Sequence, residues 1–131
     1  MSNATVALTA QDQSVLRTAA YGAITLLAAA GAKSVSRGSA ALLSATGLVG
    51  HVLSGRSNDI HLTGKSVAEL AEQILPSLTA TVGLLEEYPG EAANFRDTIM
   101  VAVAAASQPK KGEPAPAVVA MSQKIAAALA A

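Results

Sequence analysis

The segment DIHLTGKSVAE, residues 59–69, holds the side chains best placed to do chemistry. Gly64-Lys65-Ser66 has the closing triplet of a phosphate-binding loop, Gly-x-x-x-x-Gly-Lys-Ser/Thr, whose amides cradle phosphate while the lysine reaches it. The glycine due five places before Gly64 is Asp59 instead. Its carboxylate repels phosphate, and its backbone lacks the freedom of glycine. The upstream residues LLSATGLVGHVLSGRSN read as helix and turn, whereas such a loop follows a buried strand. A nucleotide hydrolase of that class is therefore excluded. A weaker chemistry stays open. If a helix starts at Ser66, its exposed amides, with Lys65 beside them, suit a phosphate or carboxylate. The plainer expectation for the same residues is a turn followed by a helix cap.

Asp59 and His61 stand two apart in the same linker, a spacing that offers a metal two ligands where a structural zinc site takes four. Glu69 or Glu72 completes such a set only if the loop folds back. His51 is the other histidine. It shares a helical face with Ser44, Gly47 and Leu48, and the expectation there is a buried, hydrogen-bonded imidazole. Glu69 and Glu72 adjoin at a three-residue spacing, but on the side away from the apolar stripe, so both should be solvated. There is no Gly-x-Ser-x-Gly elbow and no cysteine, which leaves little material for nucleophilic catalysis or disulfides. The candidate ligand or anion contacts are thus Asp59, His61, Lys65 and Ser66. No catalytic residue, metal or cofactor is assigned, and a non-enzyme is expected.

The elements that carry these residues follow from composition and period. The 131 residues suit one domain and are 51% apolar; 30 are alanine, and only Tyr21, Tyr88 and Phe95 are aromatic. Alanine is the best helix former and loses no side-chain entropy on burial. The expected fold is all-α: a four- to five-helix bundle, mostly antiparallel, with a Pro-kinked third helix. Helix one spans about 9–30, with Thr9 as cap, Asp12 at the capping-box position and a stripe of Leu16, Ala20, Ala23, Leu27 and Ala30. Arg17 and Tyr21 lie off that stripe, one turn apart, placed for surface stacking or for anchoring a contact. Helix two spans about 34–53, almost uncharged, with Gly38, Gly47 and Gly50 expected to permit close packing rather than a break.

Helix three, about 66–87, starts with a Ser66–Glu69 capping box and shows the clearest stripe: Val67, Leu70, Ala71, Ile74, Leu78, Val82 and Leu85. Pro76 sits inside it, and a kink is expected there. Its acidic end, Glu86-Glu87, opposes the helix dipole and should fray or find a basic partner. Helix four, about 91–107, turns Phe95, Ile99, Ala102, Val103 and Ala106 one way, with Met100 adjoining. After the linker 108–114, a C-terminal helix over 115–130 aligns Val118, Met121, Ile125 and Leu129.

Formal net charge is zero, with nine basic and nine acidic residues. Lys33–Arg37 and Lys110-Lys111 are short basic stretches without aromatic platforms, so no nucleic-acid partner is expected. The charges are uneven. Residues 1–53 carry Asp12 against Arg17, Lys33 and Arg37, while residues 67–108 carry six carboxylates against Arg96. That split suits docking of the acidic part on the basic part, within one copy or between two. The uncharged run Gly38–Ser54 has 17 residues, near the lower limit for a membrane helix. Its serines, glycines and histidine favour a core helix, so no membrane span is expected. The first residues lack a basic start and long apolar core, and a cytoplasmic location is expected. Together these features point to a non-enzymatic interaction or scaffolding bundle that pairs as a homodimer or with another protein. The alternative is a bundle holding a small apolar ligand or lipid in a pocket near the third-helix kink.

Overall fold

A computed structural model describes residues 8–55 and 62–131, and all regular structure among them is helical. The described residues form six helices: α1 (Ala10–Ala29), α2 (Val35–Leu43), α3 (Gly47–Leu53), α4 (Val67–Leu85), α5 (Glu91–Ala106) and α6 (Pro116–Ala130). No helix among them is long and apolar enough to cross a membrane. The all-helical class holds, but the expected count of four or five does not.

The additional helix comes from the segment expected to run unbroken over 34–53. α2 stops at Leu43, the chain turns, and α3 starts at Gly47 with φ of +68°, a left-handed conformation that a side chain resists. At Gly50 an added Cβ would run into the Ala45 carbonyl. Close packing is present too, at Gly38. An added Cβ there would lie 2.7 Å from Ala106 Cβ and 3.0 Å from the Ala102 carbonyl. One glycine therefore presses α2 onto α5, and the other two shape the break.

α1 and α4 form the central pair. Gly22 lets them approach so closely that a Cβ would sit 2.8 Å from Ile74 Cγ1. Leu16, Ala20, Ala23 and Leu27 of α1 are buried, as are Ile74, Leu78, Val82 and Leu85 of α4. Phe95 and Ile99 of α5 and the Val118–Met121–Ile125–Leu129 stripe of α6 close the core. Removing such surfaces from water stabilises the fold by about 25 cal/mol per Å². The α4 stripe is not buried throughout: Val67 stays exposed, and Leu70 and Ala71 are half-buried. Pro76 lies within α4 at an exposed position.

Several charged side chains are used at helix ends. The Thr9 hydroxyl accepts from the Asp12 amide at 3.0 Å, and the Asp12 carboxylate accepts from the Thr9 amide at 3.4 Å. Arg17 does not lie on the surface. It is buried, and its guanidinium donates to the Val52 carbonyl at 3.4 Å while the Tyr21 hydroxyl donates to the Leu53 carbonyl at 3.3 Å. A cation at the C-terminal end of α3 matches its dipole. At the other end of α3, the Glu91 carboxylate accepts from the Val49 amide at 3.2 Å. A seven-residue helix is unstable alone, and α1 and α5 hold it from both ends. Glu86, at the end of α4, meets Arg96 at 3.8 Å, and Arg96 Nε donates to the Leu129 carbonyl at 3.1 Å. The acidic end of α4 thereby has its basic partner, which also ties down the end of α6.

Candidate interaction surface

The residues singled out for ligand chemistry do not assemble into a described site. Asp59 and His61 lie outside the described residues. Lys65 and Ser66 are exposed at the start of α4, where this chain's own groups take up amides. The Ser66 hydroxyl accepts from the Glu69 amide at 3.2 Å, and the Glu69 carboxylate accepts from the Lys65 amide at 2.8 Å. Glu69 thus reaches one residue further back than the expected box, and puts a negative charge where an incoming anion would sit. His51 is exposed rather than buried, because the break before Gly47 turns α3 away from the course of α2. Among the described residues no three His, Asp or Glu side chains gather in a metal-binding group.

A different part of the molecule stands out. α5 buries Phe95, Ile99, Ala102, Val103 and Ala106. On the opposite side Ala93, Asp97, Met100, Val101 and Ala104 face solvent, a strip with a single charge. Val101 is 61% exposed and Met100 38%, and across from them Val119 of α6 is 41% exposed. Isolated apolar side chains on a surface are ordinary, but a contiguous group on neighbouring helices marks a contact surface. The signal was present in the sequence: Met100 and Val101 interrupt the side of α5 that should be polar in an amphipathic helix.

Two grooves flank the strip. On one side, Asn94, Asp97, Thr98 and Val101 face Ala41, Ser44 and Thr46. On the other, between α5 and α6, Met100, Pro114, Val118, Val119, Ser122 and Ala126 wall a groove with no charged lining residue. Ser107 and Ser122 share a hydrogen bond of 3.3 Å there, and Ser122 donates to the Val118 carbonyl at 2.9 Å. This groove measures about 290 Å³, at the bottom of the range that encloses a drug-sized ligand. Such dimensions suit side chains from another surface better than an engulfed molecule.

A further hollow lies between the α1–α2 turn and the linker before α6, ringed by exposed Lys33, Lys110, Lys111 and Glu113. Gly31 and Ala32, just past the end of α1, and Ser107, at the end of α5, line it. Carbonyl ends of helices favour cations, so these lysines offset two dipoles and do not by themselves form an anion site. Burial pushes the Tyr21 phenol above its ordinary value of 10.0. No protein-family model, curated protein or solved structure matches the chain.

Proposed function

We propose that this chain is a non-enzymatic interaction or scaffolding bundle that pairs with itself. The supporting observation is the apolar strip of Met100, Val101 and Val119, which α5 and α6 hold in water. Covering such surface is favourable by about 25 cal/mol per Å², and no element of the described chain covers it. In this reading the bundle is mostly antiparallel and bends at Pro76, and its rigid helices present the strip. Light scattering on a sizing column, repeated across protein concentrations, tests it. The expected mass is twice the 13.0 kDa of one chain, falling to one chain in Val101→Glu. A single-chain mass for the unaltered protein at every concentration would sink the proposal.

A second reading, a bundle that holds a small apolar ligand or lipid, draws on the α5–α6 groove in place of a pocket at Pro76. It is favoured only if a single-chain species binds a fluorescent apolar probe and Val119→Glu removes that binding.

A further inference from the structure

We infer that the second copy lies across α5 end for end, so that Asp97 of each protomer meets the partner's Arg37. This rests on the self-association proposed above and specifies its geometry. α2 and α5 are locked in register at both ends. The Ser34 amide donates to the Ala106 carbonyl at 3.2 Å, and the Ser34 hydroxyl to the Gln108 carbonyl at 2.7 Å. At the other end, the Asn94 amide group donates to the Thr46 carbonyl at 2.9 Å. Arg37, next to Gly38, therefore stands beside the Ala102–Ala106 end of α5, while Asp97 lies in its N-terminal half. Arg37 precedes Ala41 by four residues and shares its helical face, the face that lines the groove with Asp97 and Val101.

The surface formed by the strip together with the adjoining face of α2 is thus negative at one end and positive at the other, with Val101 and Ala41 between. Asp97 and Arg37 are both exposed, and neither side chain has an ion-pair or hydrogen-bond partner among the described residues. Seven residues of helix, from Asp97 to the level of Arg37, span about 10 Å, too far for the two to pair within one copy. A surface with opposite charges at its two ends is complementary to itself once reversed. A two-fold axis in the interface, crossing α5 near Val101, makes that reversal. It sets Val101 against its own counterpart and forms the Asp97–Arg37 pair twice. The symmetry doubles the effect of any single charge change, and charge pairing of this kind fixes orientation.

Sedimentation velocity across concentrations, on full-length protein at low and physiological salt, tests this. Asp97→Arg and Arg37→Asp should each weaken dimerisation by roughly tenfold. The double reversal should return it to within about threefold of the unaltered protein, because the same pair is rebuilt with its signs exchanged. Both positions are exposed, and circular dichroism confirms that each variant keeps its helices. A dimer indifferent to the single reversals, or a double variant weaker than either single one, overturns this geometry while leaving self-association through another face. A monomer at all concentrations overturns both and assigns the strip to a different partner.

Discussion

Tyr21 couples the core to a backbone group through a single hydroxyl. Its ring packs against the buried cluster and its hydroxyl donates to the Leu53 carbonyl at 3.3 Å. Burial raises the pKa from 10.0, so the folded phenol ionises above the unfolded one. The stability this gives is complete below the unfolded pKa and is lost as pH climbs through the folded value. The urea midpoint should therefore fall as pH rises above about 10, with a shallower fall in Tyr21→Phe. Equal slopes in the two proteins would show that Tyr21 is not the group responsible. At this scale caps were legible in the sequence, since Thr9 with Asp12 and Ser66 with Glu69 are partners a few residues apart. Arg17 was not, because its acceptor lies 35 residues away on α3.

At the scale of elements, identical residues serve opposite ends. Gly38 and Gly83 are both helical. Alanine at either position gains about 1 kcal/mol of helix propensity. At Gly83 nothing lies within 4 Å of the new Cβ, so Gly83→Ala should stabilise the protein by up to about 1 kcal/mol. At Gly38 the Cβ meets Ala106 at 2.7 Å and the Ala102 backbone at 3.0 Å, and overpacking costs about 1–3 kcal/mol. Gly38→Ala should therefore be net destabilising in urea unfolding. A stabilised Gly38→Ala would mean that α2 and α5 separate easily. The break between α2 and α3 belongs to the same scale. An uncharged, glycine-bearing run is compatible with one helix or two, and here Glu91, Arg17 and Tyr21 hold the second piece.

For the whole molecule, the proposed pairing makes folding and association one equilibrium. The melting temperature should then rise with protein concentration by roughly 4 °C per hundredfold. Circular dichroism melts at two concentrations a hundredfold apart check this, and superimposable melts would count against a dimer that stabilises the fold. Acidic Glu86 and Glu91 and basic Arg17 and Arg96 are engaged within the bundle, whereas Arg37 and Asp97 are left on its surface.

Composition and period by themselves determined the helical class and most of the apolar stripes, because helix propensity and a 3.6-residue repeat are local properties. They excluded a phosphate-binding loop, because Asp59 stands where glycine is required. Only the tertiary structure decided that 34–53 is two helices, that Arg17 is buried and that His51 is exposed. It alone set Arg37 of α2 and Asp97 of α5 at opposite ends of one α2–α5 surface. Each of these depends on contacts between residues far apart in sequence, and a one-dimensional pattern carries no record of which distant face a side chain will meet.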